Sequence, residues 1–307
     1  MNALNKFLAD QKIGLIDIGA RGGIEPEWRK IQNNIKAFLF EPDERSRNEL
    51  KSIGYVEKIF PVALGSSEGI ANINLCKSPG TSSLLKPRYE FLKIFFDVSR
   101  FDIISEEEIE LSTLDKCLLD RWEDCDFIKL DTQGTELDIL KGGKELINKP
   151  LIGFEIEVEF VQMYKDQPLF GDVCSFLDKN QYQFYDLIHL CRWERTKFTL
   201  FGQAIFGDGL FLRSPESFSQ ILESLPADLA RNKAVKYIGI VALYDHIDLI
   251  PICKELFSKY FTITDIKGVE NLYKQCLRRR IVSSFIIRVA NRLLKYLGIK
   301  VTGFQKS

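Results

Sequence analysis

The 307-residue chain carries 42 Lys and Arg against 43 Asp and Glu, a formal net charge of -1, with 45% hydrophobic and 28% charged residues. That balance is globular: it excludes a disordered, collagen-like or membrane-spanning chain, and near-neutrality argues against a protein dedicated to nucleic acid. The seven cysteines, odd in number and with no C-x-x-C pair, read as buried thiols in a reducing compartment. Two histidines, His189 and His246, leave no His-rich metal site and argue against a His-based triad.

Residues 13–18 read as a short buried strand, followed by a glycine turn at Gly19 to Gly23. Polar, helix-compatible sequence spans 28–34, and a second apolar strand, 37–40, ends in Glu41-Pro42-Asp43. Asp43 suits the N-cap of a helix over 44–53. Strand-like runs recur at 56–64 and 70–76, and Gly80-Thr81-Ser82-Ser83 is a loop. Ser112-x-x-Asp115 resembles a capping box opening a helix that runs through Trp122. Residues 127–131 form another buried strand, joined by Thr132-Gln133-Gly134 to a helix over 136–147. A strand over 151–160, a helix over 170–179 and a closing pair, 182–190 and 203–212, complete the pattern. After Pro215 the pattern is helical only. Strands alternating with helices predict an α/β fold with a mostly parallel sheet, helices on both faces, and an antiparallel hairpin at one edge. The division this suggests is a domain over 1–214 and a helical C-terminal region over 215–307.

Chemistry-bearing residues cluster where strands end. Asp17-Ile18-Gly19-Ala20-Arg21-Gly22-Gly23 follows a strand directly, where backbone amides and a helix start favour an anion. A dinucleotide fingerprint needs G-x-G-x-x-G. Arg21 breaks that spacing, leaving a more open turn that suits a nucleoside without a pyrophosphate, or a plain turn. Glu41 ends the next strand, 24 residues after Asp17. An acid there can accept both ribose hydroxyls, or simply start a helix. Asp131 stands at the carboxyl end of a buried strand, where open α/β sheets bind ligands; the alternative is a helix cap. In Phe154-Glu155-Ile156-Glu157-Val158-Glu159 the alternation puts three carboxylates on one strand face. A central strand should be apolar on both faces, so at least one of these acids is expected to face a cleft.

Taken together, Asp17-Ile-Gly-Ala-Arg-Gly-Gly, Phe40-Glu-Pro-Asp, Ala63-Leu-Gly, Ser82-Ser-Leu-Leu, Phe127-Ile-Lys-Leu-Asp-Thr-Gln-Gly-x-Glu-Leu and Gly142-Gly resemble the FkbM family of S-adenosylmethionine-dependent methyltransferases. Glu157-x-Glu-Phe, Tyr164, Gln167-Pro-Leu-Phe and Asp208-x-Leu-Phe-Leu-Arg match its later segments, so the resemblance covers about residues 13–213. It implies a Rossmann-like methyltransferase fold and a methyl acceptor oxygen on a sugar or a secondary metabolite. It implies that Gly19, Ala20 and Gly23, with Asp17, hold the methionine part of S-adenosylmethionine, Glu41 and Pro42 the ribose, and Ala63 and Leu64 the adenine. Asp131 would sit near the transferred methyl. Arg21 stands where many members have Asn and can pair with the methionine carboxylate. Gln133 stands where an acid is common.

An alcohol acceptor must lose its proton, and with histidine scarce the expected base is a carboxylate. Asp131, Glu157, Glu159 and Asp208 are the expected acidic lining, one as base and the others binding sugar hydroxyls. Their number permits an oxygen-bound divalent metal, though a metal-free site is favoured. His189 reads as an ordinary hydrogen-bonding residue. Phe95, Phe96 and Phe101 read as core or lid, and Trp193 as a sugar-stacking ring or a partly exposed loop aromatic. The expected function is O-methylation of a sugar or glycan. The alternatives are a small metabolite acceptor, or a non-catalytic partner module of the same fold.

Residues 271–307 hold nine Lys or Arg and no acid. Arg278 to Arg280 precede an apolar stretch in which Ile287, Leu294 and Leu297 share a helical face flanked by Arg288, Arg292 and Lys295. Such a segment suits an anionic membrane surface, a glycosyltransferase partner, or the acidic body of its own chain. No signal-peptide pattern and no run of about 18 apolar residues occurs. The expected location is therefore cytoplasmic, peripheral to the inner face of a membrane, with no nucleic-acid partner.

Overall fold

In the computed structural model, which describes residues 3–9, 11–196 and 201–296 without the side chains of residues 45 and 283–296, the apolar runs become strands separated by helices. In chain order the first half comprises α1 (Ala3–Leu8), β1 (Ile13–Ile18), α2 (Pro26–Arg29), β2 (Ile35–Phe40), α3 (Glu44–Leu50), β3 (Val56–Phe60), β4 (Ala63–Leu64), β5 (Gly69–Cys76), α4 (Tyr89–Leu92), β6 (Ile103–Ser112), α5 (Leu114–Leu118) and β7 (Phe127–Leu130). The second half comprises α6 (Glu136–Lys141), α7 (Lys144–Ile147), β8 (Gly153–Glu159), α8 (Phe170–Lys179), β9 (Gln183–Trp193), β10 (Gln203–Leu212), α9 (Pro215–Leu222), α10 (Ala227–Leu243), α11 (Leu249–Leu256) and α12 (Ile263–Tyr296).

Seven strands form one sheet in the order β3-β2-β1-β7-β8-β10-β9. The first five are parallel, and β10 runs antiparallel to both β8 and β9. This is the expected mostly parallel α/β sheet with an antiparallel edge hairpin. Because side chains alternate across a strand, the sheet has two buried faces. Ile16, Ile18, Phe38, Ile128, Leu130, Phe154 and Ile156 share one core with the inward residues of α5, α6, α7 and α8. Leu15, Leu39, Phe127, Ile152, Leu210 and Leu212 share the other with α1, α9, α10, α11 and α12.

The C-terminal helices complete that second layer. Helix α10 buries Ala230, Ala234, Tyr237, Ile238 and Val241 and is apolar round most of its circumference, as a helix inside a core must be. It brings Lys233, fully buried, to Asp126: Nζ donates at 2.7 Å to Asp126 Oδ1 and at 2.7 Å to the Cys125 carbonyl. One continuous core therefore crosses the 214/215 boundary. Ser214 Oγ caps α9 by accepting the Ser217 N–H, with Pro215 at its first position.

Several local expectations are corrected. Strand β6 and the separate sheet β4-β6-β5 are additional elements. The capping residue of α5 is Thr113, which accepts from Lys116 N; Ser112 ends β6, and Asp115 accepts the N–H groups of Glu145 and Leu146 instead. The helix expected over 136–147 breaks at Gly142-Gly143, where a Cβ on Gly142 would fall 2.1 Å from the Gly65 carbonyl oxygen. The helix-compatible sequence over 28–34 holds the end of α2 and a 3₁₀ turn, Gln32–Asn34.

Candidate active site

The carboxyl ends of β1, β2, β7 and β8 meet at one edge of the sheet. Gly19 leaves β1 at φ +83°, and a Cβ there would fall 2.0 Å from the Asp131 carbonyl oxygen, so only glycine lets the two loops approach. Asp131 N donates to the Ile18 carbonyl, tying the second loop to the first. A cleft of about 990 Å³ opens above this junction. Of the residues expected in the site, Gly19, Arg21, Glu41, Pro42, Ala63, Leu64 and Asp131 line it. Glu41 is fixed by accepting the Asp43 N–H on Oε1 at 2.9 Å, and burial raises its carboxyl above the ordinary value. Phe40, Val62, Leu64 and Ile139 make the adjoining wall apolar.

Asp17, Ala20, Gly23, Glu157, Glu159 and Asp208 are not among the residues that line the cleft. Asp17 is 1% exposed, with Oδ1 unpartnered; burial pushes it up to about 7, although Lys129 opposes the shift. Lys129 is in register with Asp17 on one side and Glu155 on the other. Its Nζ lies 3.4 Å from Glu25 and 3.5 Å from Asp131. Burial works against that charge, but Asp17, Asp131, Glu25 and Glu155 outweigh it and hold the ammonium well above its ordinary range.

All three alternating acids of β8 are buried. Gln133 Nε2 donates to Asp131 Oδ1 at 3.0 Å and to Glu157 Oε1 at 2.8 Å, bridging the two carboxyl groups. Tyr164 donates to the Gln133 Oε1 at 3.3 Å, and Ser83 to the Gln133 carbonyl at 2.7 Å. Burial, then Asp131 and Glu159, raise the Glu157 carboxyl well above its ordinary value. Glu159 is 2% exposed and also held high by burial; Oε1 has no partner. Asp208 is level with Glu157 on the neighbouring strand, and His189 level with Asp208 beyond it.

Sequence reasoning missed the bridging role of Gln133, the buried Lys129 and the partnership of His189. Lys129 carried a readable signal, a cation in an otherwise apolar strand. His189 Nδ1 lies 2.9 Å from Asp208 Oδ2. Glu155, pushed up to about 7 by burial, accepts the Tyr244 hydroxyl at 2.5 Å, and Trp28 Nε1 donates to that hydroxyl at 3.0 Å. Trp193 ends β9 and packs against Phe95, Phe101 and Phe206, with the Arg100 guanidinium 4.4 Å from its ring. Phe95 and Phe101 are core, whereas Phe96 is exposed.

The methyltransferase FkbM domain matches residues 17–184, more than half of the chain and the part that builds this cleft. The chain belongs to the FkbM methyltransferase family. One curated relative is the 2-O-methyltransferase NoeI of Sinorhizobium fredii (strain NBRC 101917 / NGR234), 27% identical over 147 residues, or 44% of this chain. The match spans 59% of NoeI's own length. Among solved structures, a Streptococcus pneumoniae protein described as a candidate tRNA (m1A22) methyltransferase aligns over 88% of this chain and 96% of its own. At 10% identity and a TM-score of 0.34, that likeness is too loose to bear on the activity of an FkbM protein. Among the described residues no helix is long and apolar enough to cross a membrane.

Proposed function

We propose that this FkbM methyltransferase uses S-adenosylmethionine to methylate a hydroxyl of a sugar or glycan. The observation that carries the reading is the placement of Glu41 and Asp131 in one cleft, on either side of the Gly19 turn. Its residues fit the cofactor. Gly19 of the turn lines the cleft, where the methionine part would lie, and just beneath it Asp17 holds a buried oxygen without a partner, which matches an ammonium donor. Arg21 matches the methionine carboxylate, Glu41 the ribose hydroxyls, and Phe40, Ala63, Leu64 and Ile139 the adenine face.

The bound cofactor supplies an electrophilic methyl on a sulfonium. The chain must then hold an acceptor oxygen in line with that methyl, and such positioning is worth several kcal/mol. Asp131, Glu157 and Asp208 form a row of oxygen acceptors and donors suited to a polyol. Gln133 locks the first two, so the row is rigid before substrate arrives. NoeI, a 2-O-methyltransferase, supports an oxygen acceptor.

The test is methyl transfer from labelled S-adenosylmethionine to a panel of methyl glycosides. Turnover of at least one is expected. Glu157→Gln and Asp208→Asn should each lower it at least tenfold while cofactor affinity stays within twofold. Wild-type turnover in both variants contradicts the assignment of the acidic row.

A further inference from the structure

We infer that His189, held by Asp208, is the base that takes the acceptor hydroxyl's proton. This rests on the O-methyltransferase reading and moves the proton-accepting role from a carboxylate to an imidazole. The contact is side chain to side chain across paired strands: Asp208 of β10 and His189 of β9 are in register, with Asp208 Oδ2 at 2.9 Å from Nδ1. A carboxylate at that distance fixes the tautomer with the proton on Nδ1, which leaves the Nε2 lone pair free to accept. No described residue bonds Nε2, and the ring is 57% exposed beside an Asp208 side chain only 29% exposed. A solvent-facing imidazole oriented by a half-buried carboxylate is the arrangement of a base with its orienting partner.

Its location matches the reaction. Asp131, just past the end of β7, lines the cleft, and Glu157, Asp208 and His189 follow it across β8, β10 and β9, so the dyad continues the row outward from the lining residues. The buried carboxyls are the poorer choice. Glu157 is buried and its Oε1 is already taken by the Gln133 amide. Glu159 is 2% exposed, too buried to meet an acceptor hydroxyl. In the step, the acceptor oxygen forms its bond to the methyl as the methyl–sulfur bond breaks, and that bond's electron pair stays on sulfur. The hydroxyl proton passes to His189 Nε2. The resulting imidazolium is stabilised by Asp208 and returns its proton to water. In this proton transfer Asp208 acts through His189, as its positioning residue.

Oxygen and nitrogen atoms of Glu155, His189 and Asp208 also lie within 4.8 Å of one another, a spacing that admits a divalent cation. The experiment therefore separates a base from a ligand. Wild type, His189→Ala and Asp208→Asn are compared with the acceptor turned over from a panel of methyl glycosides and simple alcohols, before and after dialysis against EDTA. General-base catalysis is worth about 10²–10⁴-fold, so His189→Ala should lose at least about 100-fold in kcat. Its affinity for S-adenosylhomocysteine should be unchanged, and added imidazole should restore part of the rate. EDTA should leave the wild type unaffected. With only two histidines in the chain, ring ¹⁵N shifts are assignable. They should show Nδ1–H at His189 in the wild type and a tautomer mixture in Asp208→Asn.

Three outcomes would overturn the inference: His189→Ala within threefold of wild type, no imidazole rescue, or a chelator-sensitive rate restored by Mn²⁺. Turnover of an alcohol but of no glycoside sinks the sugar reading instead, and the same variants then decide the dyad on that alcohol. Turnover of nothing in the panel sinks both.

Discussion

Glu155 shows what a buried carboxyl does to stability. Its ordinary value is 4.5, and burial, only partly offset by the Tyr244 hydrogen bond, pushes it up to about 7. In the unfolded chain it loses its proton near the ordinary value, while the folded chain keeps it until about 7. Across that window the folded state binds more protons, so stability falls as pH rises and levels off above it. At about 1.4 kcal/mol per pKa unit the loss is at most about 3.5 kcal/mol. Glu155→Gln keeps an acceptor for Tyr244 but does not titrate. Its melting temperature should fall less than the wild type's between pH 5 and pH 7.5, and should exceed it at pH 8. Parallel profiles would show that Glu155 does not hold a proton in the folded state. Asp17, raised in the same way, keeps part of the slope in the variant.

At the scale of elements, α10 is anchored to the sheet by charge as well as by apolar area. Asp126 is fully buried and accepts from Lys233, Lys236 and the Gly14 N–H. Breaking a buried pair by removing one partner costs about 3–5 kcal/mol. Lys233→Met leaves Asp126 with Lys236 and Gly14, so the lower end of that range is expected in urea unfolding. A loss under about 1 kcal/mol would mean that packing alone holds the helix.

Elements with one clear period were legible in the sequence: β1, α8 and β10 begin and end where the apolar pattern does. Strand β6 was not, because Glu106, Glu107, Glu108 and Glu110 interrupt any alternation. That strand is stabilised by pairing with β5 and leaves most of its side chains in water. The acids of β8 were legible as a face but not as a network. Their bridge, Gln133, lies in a loop at φ +59°, where no periodicity guides a reader. The His189–Asp208 contact depends on strand register, and β9 and β10 contain three irregularities that composition cannot reveal.

On the scale of the whole molecule, the methyltransferase match ends at residue 184, yet the core does not. Trp28, Tyr244 and Glu155 form a hydrogen-bonded line from α2, through the end of α10, to β8. The helical region thus supports the acidic row from behind. Leu277, Ile281 and Val282 of α12 are exposed beside Arg278 and Arg280. The side chains of Ile287, Arg288, Arg292, Leu294 and Lys295 lie outside the described residues, as does Leu297. Contact of this segment with anionic lipid is a proposal with a direct test. Full-length protein should pellet with phosphatidylglycerol vesicles and not with phosphatidylcholine vesicles, and a 1–282 truncation should lose most of that binding. Equal pelleting of the two proteins rules out the segment as the lipid contact.

The most direct test of the central claim is calorimetric titration of the full-length protein with S-adenosylmethionine and S-adenosylhomocysteine, with NAD as control. The cleft formed by the Gly19 turn, Glu41 and Asp131 predicts micromolar binding of both sulfur nucleosides, at least tenfold weaker binding in Glu41→Gln, and none of NAD. Binding of neither nucleoside, or of NAD alone, would contradict the account.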